Sequence, residues 1–301
     1  MLARLLRGVY LFQLLSGALL GTWLAVSHTQ NNASALLLVP LCTLGLPLLL
    51  QFLVICISML RSRLPGQGVL WWQAFWGELR AALTVYLLRQ PWAGKNPGVL
   101  QPTQNPAGPA KLPVLLVHGY ICNHRVWDNV ADALRQAGHP VLAVDLEPLF
   151  TSIDDYAVNL EQATTTLLTA TGATQIALVG HSMGGLVIRA WLRASGQARV
   201  ARVITLGSPH QGTDIARASM TSNGSQMIWR SDWLQTLQSS ETPAVRRLLH
   251  IALTLQDNIV YPQREQVLEG AAVTEFSGIG HVQMCLSPMV IGWLVQQLDA
   301  A

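Results

Sequence analysis

From Gly8 to Leu60 the chain carries no Asp, Glu, Lys or Arg, a run of 53 residues without a formal charge. Soluble domains do not ordinarily run so far without charge, whereas one membrane-crossing helix needs about 20 mostly apolar residues. The run has room for two. It divides at the polar stretch Ser27-His28-Thr29-Gln30-Asn31-Asn32, leaving Leu5 to Val26 and Ala35 to Leu60 as two apolar segments. Pro40 and Pro47 in the second segment are tolerable in lipid, with an expected kink. Arg4 and Arg7 precede the first segment, and Arg61 and Arg63 follow the second. The positive-inside rule then predicts a two-span protein of the inner (cytoplasmic) membrane, with both ends cytoplasmic and the short connection outside. A rival reading cleaves residues 1–27 as a signal peptide at Ala25-Val26-Ser27. If the second segment still crosses, the remainder stays cytoplasmic.

Half of the 301 residues are hydrophobic and 12% are charged, against about 25% charged in ordinary soluble domains. Disorder needs the opposite balance and is excluded. Four cysteines in this length exclude a disulfide-stapled miniprotein. The net charge is +3, from 17 Arg and only 2 Lys set against 16 acids, with no basic tract to suggest nucleic acid. His and Cys are too dispersed for a metal site, so no metal and no cofactor is expected.

Val69 to Trp92 contains Trp71, Trp72, Trp76 and Trp92, four of the ten tryptophans. Trp favours the headgroup layer, so the segment reads as an amphipathic helix lying on the membrane, or equally as a helix packed on a soluble domain. Gly94 to Pro113 holds five prolines and three glycines and reads as a linker. The expected organisation is an anchor over 1–64, a Trp-rich segment and linker over 65–111, and a soluble domain over 112–301.

In that domain continuous apolar runs alternate with helical patterns. Strands are predicted at Pro113–His118, Pro140–Asp145, Gln175–Gly180, Val200–Leu206, Leu248–Leu255 and Ala271–Phe276. Helices are predicted at Val126–Ala137, Ser152–Thr171, Gly184–Ala194 and Pro288–Leu298, and His210 to Pro243 is irregular. Apolar strands alternating with helices imply an α/β fold with a parallel sheet covered on both faces.

Gly180-His181-Ser182-Met183-Gly184-Gly185 ends the third strand and opens a helix. The pattern G-x-S-x-G in that context describes a turn so tight that its central residue is strained, with Ser182 raised above the sheet edge. Side chains at the flanking glycines would collide. Serine needs a base to take its proton, and in chains with this turn the order is serine, acid, histidine. His210, His250 and His281 follow Ser182. His281 is favoured because Gly278-Ile279-Gly280-His281 forms a flexible turn between the last strand and the last helix. His250 sits inside an apolar run, and His210 reads as structural. Asp214, Asp232, Glu241, Asp257, Glu265, Glu269 and Glu275 are the possible acids. Asp257 alone closes the penultimate strand, from where it can orient the imidazole. The amides of Met183 and Tyr120, the latter beside Gly119 after the first strand, are the expected oxyanion donors. His118 reads as a loop organiser. Cys122 and Cys285 read as buried thiols rather than nucleophiles, since neither sits on such a turn.

From about Leu112 onward the chain resembles the α/β-hydrolases, and among them the bacterial triacylglycerol lipases and esterases. His118-Gly119-Tyr120, Gly180 to Gly185, Leu206-Gly-Ser-Pro-His-Gln-Gly212, Asp257-Asn-Ile-Val and Gly278 to His281 carry the resemblance, in the family's order. It implies ester hydrolysis through an acyl-Ser182 intermediate. It also implies a lid or cap over about 213–245, in which Met227, Ile228, Trp229 and Trp233 would meet an acyl chain. Val282-Gln-Met-Cys after His281 lacks the acid of the calcium-binding secreted lipases, so calcium is not expected, and two membrane spans also depart from those enzymes. The expected partners are a lipid or small acyl-ester substrate and the bilayer, with no nucleic acid; oligomeric state is not readable. Acyl transfer or thioester hydrolysis would use the same residues, and a non-catalytic membrane-bound binding or assembly module is the reading from another class.

Overall fold

The computed structural model describes residues 1–28, 32–103 and 111–300. Residues 29–31 of the polar connection and 104–110 of the Pro-rich stretch lie outside the described residues. Helices α1 (Leu2–His28) and α2 (Asn32–Arg61) are both long and apolar enough to cross a membrane, and little of either is buried. They pack closely on each other at Gly17 and Gly21. A Cβ on Gly21 would stand 2.7 Å from Val39 Cα, and one on Gly17 2.8 Å from Thr43 Cα. Small residues four apart allow two helix backbones to approach this closely. Phe12, Leu19, Leu37 and Leu41 point outward and are exposed.

Helix α3 (Gly68–Ala82) continues through a π-helical turn (Leu83–Arg89) and a 3₁₀ turn (Gln90–Trp92). The two readings of this segment divide by face. Trp71, Phe75, Glu78 and Ala82, at helical spacing, are buried against α2 and the sheet domain. Trp72 and Trp76 are more than half exposed. The stretch expected as a linker is also partly built in: Leu100 forms an antiparallel bridge with Val141 through bonds of 2.8 and 2.9 Å. Asn96 Nδ2 donates to the Ala143 carbonyl at 2.8 Å. These residues cover an edge strand whose backbone groups would otherwise be open to pairing.

The remaining elements are β1 (Val114–Val117), α4 (Asp128–Gln136), β2 (Val141–Val144), α5 (Ala157–Thr171), β3 (Ile176–His181), α6 (Met183–Ser195) and β4 (Val200–Leu206). After them come α7 (Ser222–Gln226), α8 (Asp232–Ser239), α9 (Pro243–Leu248), β5 (Leu249–Thr254), β6 (Ala272–Phe276) and α10 (Pro288–Asp299). The strands form one six-stranded parallel sheet in the order β2-β1-β3-β4-β5-β6. Its apolar strands alternate inward and outward. Leu115, Val117 and Leu178 pack with Leu160, Leu186 and Trp191 of α5 and α6. Val114, Leu116 and Val179 pack with Val130, Leu134, Leu294 and Leu298 of α4 and α10. A core on both faces is why these strands read as unbroken hydrophobic runs.

Candidate active site

Strand β1 lies between β2 and β3, so the chain leaves β1 in one direction and returns on its other side. In open parallel sheets the crevice at such a reversal, beyond the strands' carboxyl ends, is where ligands sit. The turns after β1 and β3 meet there. Ser182 directly follows β3 with φ 54° and ψ −129°, a conformation a side-chain-bearing residue rarely adopts and one that stores about 1–3 kcal/mol. Its surroundings hold it in place. Ser182 N–H donates to Leu206 O at 2.9 Å. A Cβ on Gly180 would lie 2.6 Å from Gly185 N, and one on Gly184 would run into the Val117 carbonyl. Gly119, at the end of β1, approaches so closely that a Cβ would be 2.7 Å from Ser182 Cβ. Helix α6 starts at Met183, aiming its positive end at the serine.

Asp257 and His281 come from the loops after β5 and β6. Asp257 Oδ2 lies 2.9 Å from His281 Nδ1, and both residues are buried. Asp257 Oδ1 accepts the amides of Ile259 and Val260 at 2.9 and 2.7 Å, so the carboxylate cannot turn away. Asn258 Oδ1 accepts the His281 amide at 3.2 Å, and Thr254 Oγ1 donates to the Ile279 carbonyl at 2.6 Å. Burial pulls the His281 imidazole downward, but the charge and hydrogen bond of Asp257, with Glu78 beyond, raise it overall. His181 stacks against it with ring centroids 4.6 Å apart, its Nε2 3.1 Å from the His281 carbonyl. Burial, and then the charge of His281, keep His181 neutral at physiological pH.

Tyr120 follows Gly119 at the crevice, and Met183, the first residue of α6, lies beside it. Ile121, next to Tyr120, has φ 50°, an outlying conformation for a β-branched residue. Tyr120 and Ser182 line a largely apolar cavity of about 340 Å³ with Pro209, Ala216, Met227 and Val260. Its roof is the irregular section expected as a lid. Of the four residues expected to meet an acyl chain, Met227 lines the cavity and the other three do not. Ile228 and Trp233 pack on the core, where Trp233 Nε1 donates to Asp154 Oδ2 at 2.8 Å. Trp229 lies under the Arg230 guanidinium, 5.3 Å away. Apolar character within a stretch read as irregular does not tell which side chains face the cavity, and Trp233 lies on α8 with its ring turned to the core. The lining residues missed are Ile215 and Ala218, in the 3₁₀ turn Asp214–Ala218, and Ile259, two residues after Asp257.

The other candidates lie elsewhere. His210 is buried with Nε2 2.9 Å from Thr205 Oγ1 and Arg189 on its other side. His250, on β5, pairs with Thr274 Oγ1 at 2.8 Å. Glu241 is held by Arg189 and Arg246. His118 Nε2 accepts the Leu146 amide at 3.0 Å while Nδ1 donates to the Gly119 carbonyl at 2.9 Å, which ties two site loops together. Cys122 is buried, and burial pushes its thiol up to about 11, far from a thiolate nucleophile. Glu78 is a residue that the sequence reading did not select. It is buried, and its carboxylate faces the backbone immediately after His281.

Comparison with known proteins agrees with the fold. A family model described as alpha/beta hydrolase fold matches residues 113–239. A triacylglycerol lipase of Pseudarthrobacter phenanthrenivorans is 35% identical over 115 residues, covering 35% of this chain and 35% of that protein. One from Burkholderia plantarii is also 35% identical over 115 residues, covering 35% and 32%. The match thus spans about a third of the length of these relatives. Mature Bacillus licheniformis lipase BlEst2 superposes with a TM-score of 0.59 at 18% identity, covering 68% of this chain and 99% of that one. Aspergillus fumigatus lipase B does so with a TM-score of 0.54 at 16% identity, covering 67% and 56%. Behind two long apolar helices, the chain has the α/β-hydrolase fold and is similar over about a third of its length to triacylglycerol lipases.

Proposed function

We propose that this protein is a membrane-anchored serine hydrolase that cleaves carboxylic esters of acyl lipids. One observation carries the reading: a serine on a strained strand-to-helix turn opens onto an apolar cavity in a site that also holds a buried, hydrogen-bonded histidine–aspartate pair. In this mechanism His281 takes the Ser182 hydroxyl proton as Oγ attacks the ester carbonyl. The Tyr120 and Met183 amides receive the oxyanion, helped by the positive end of α6. Asp257 fixes the imidazole with Nδ1 protonated and stabilises the imidazolium. His281 then gives its proton to the leaving alcohol, and water, activated the same way, releases the acid from Ser182. The apolar cavity favours an acyl chain, with Met227 in contact. Purified protein should hydrolyse p-nitrophenyl esters, with kcat/KM rising as the acyl chain lengthens, and should also cleave emulsified triacylglycerol. Turnover that appears only with an alcohol or thioester partner would reassign it to acyl transfer or thioester cleavage.

Helices α1 and α2 serve as the anchor in this reading. Their exposed apolar surfaces fit lipid better than a soluble core. The Tyr10 hydroxyl donates to the Tyr86 carbonyl at 3.0 Å, and Ser58 and Ser62 near the end of α2 bond to the Asp257 loop. Both helix ends that carry Arg thus lie beside the hydrolase domain, which supports a cytoplasmic orientation of that domain under the positive-inside rule. Protease added outside intact cells should leave it uncut; cleavage of the domain there would reverse the orientation.

A further inference from the structure

Helix α3 is not part of the strand-and-helix alternation of the hydrolase domain, yet it reaches the centre of the site. Glu78 Oε1 accepts the Val282 amide at 3.0 Å and Oε2 accepts the Gln283 amide at 2.9 Å. These are the first two amides after His281, at the start of the 3₁₀ turn Val282–Cys285, and no carbonyl of that turn can satisfy them. A carboxylate delivered from another helix caps them instead, with charge-assisted bonds. The approach is as close as the backbone permits. A Cβ on Gly280 would stand 2.5 Å from Glu78 Cβ, and one on Gly77 would run into the Gln283 side chain.

We propose that Glu78 is a positioning residue for His281, so that the juxtamembrane helix α3 completes an active site that the hydrolase domain does not hold by itself. The inference rests on His281 being the general base. The same segment also secures the acid loop. Trp71 Nε1 of α3 donates to the Met59 carbonyl of α2 at 3.1 Å. On the preceding residue of α2, Ser58 Oγ accepts from Asn258 Nδ2 at 2.9 Å. Asn258 in turn holds the His281 amide. A displacement of α2 or α3 therefore moves the imidazole as well as the tether.

The ionisable groups around this contact can be named. Asp257 and Glu78 face His281 with their charges, and His181 packs on its ring. Tyr86, from the π-helical turn, and Cys285 lie near Glu78. Burial raises the Glu78 carboxyl, and the charge of His281 and the two amides act against that. As an anion Glu78 favours protonated His281, so replacing it with a neutral group lowers the imidazole pKa.

The test uses the full chain in detergent with a soluble ester, measuring kcat and KM across pH together with the melting temperature. For Glu78→Gln we expect kcat to fall about 10- to 100-fold with KM changed less than about twofold, the pattern of a mispositioned base. The acid limb of kcat/KM should move to lower pH. Glu78→Asp keeps the charge but withdraws it from both amides, so kcat should fall while the acid limb stays in place. Wild-type kcat in Glu78→Gln would overturn the proposal. So would a lower kcat with an unmoved acid limb and a reduced melting temperature, which would make Glu78 a structural prop only. If Glu78→Gln does not fold, wild-type kcat in Glu78→Asp overturns it instead. A wild type without Ser182-dependent hydrolysis would refute the functional reading itself, whereas an active wild type with an unaffected Glu78→Gln refutes this inference alone.

Discussion

Ser182→Ala and His281→Ala are each expected to lower kcat for ester hydrolysis by on the order of 10⁶-fold, and the double variant to lower it little further. The non-additivity follows from the chemistry. Once the hydroxyl is gone, an imidazole has no proton to take, and without the imidazole the hydroxyl is a poor nucleophile. Asp257→Asn should be milder, on the order of 10⁴-fold, because it upsets the tautomer but removes neither reacting group. The fold should survive the serine change. Ser182 contributes its backbone amide, not its side chain, to the bond with Leu206, and alanine at φ 54° is strained no more than serine is. Activity against p-nitrophenyl esters measures the rates, and the melting temperature guards against a folding artefact. Losses that multiply in the double variant would mean that the two residues do not act as a unit.

The largest expected effect on stability is at Glu241, far from the chemistry. Arg189, on the helix that follows Ser182, is fully buried, and its Nε lies 2.5 Å from Glu241 Oε1. Arg246 of α9 holds the other oxygen, and Arg189 Nη1 also donates to the His210 carbonyl at 3.2 Å. One carboxylate thus neutralises two guanidinium groups that have little contact with water. Glu241→Ala leaves both uncompensated, which costs about 3–5 kcal/mol. In a domain of this size each kcal/mol shifts the melting temperature by about 2–4 °C, so a drop of about 10 °C is expected. The exposed pair Arg264–Glu275 is the control, since water screens exposed pairs and they contribute little. Equal small shifts for both pairs would contradict this account. Glu241 sits between α8 and α9, where it fastens the roof of the cavity to α6, so its loss should also loosen that roof.

The sheet was legible because of how it is buried. The inner strands are covered on both faces and so appear as apolar runs, whereas β6 at the edge is largely exposed, and the six predicted segments match the six strands to within a residue or two. The elbow was legible because glycines at 180 and 184 have one mechanical purpose, to make room where Val117, Gly185 and the turn meet. Asp257 and His281 could be chosen because each follows a strand, which places them at the same sheet edge as Ser182. The lid was less legible. Its inner face is set by turns and by contacts to Asp154 and the core, so Trp233 faces inward to packing rather than to substrate. The packing of the Pro-rich stretch was not legible because Pro and Gly mark irregular backbone without saying whether it is bound, and Leu100 pairs with the edge of β2. Glu78 was hidden by its Trp-rich neighbours, although a signal was present. Trp71, Phe75, Glu78 and Ala82 share one helical face, and a lone carboxylate on an apolar stripe needs a partner.

The central claim is that Ser182 is a nucleophile activated by His281. Incubating the full chain in detergent with a fluorophosphonate probe, then measuring intact mass and sequencing the modified peptide, tests it most directly. The account predicts one adduct per chain, on Ser182, lost in Ser182→Ala and strongly slowed in His281→Ala. A folded wild-type protein that stays unlabelled, or an adduct that persists in Ser182→Ala, would contradict it.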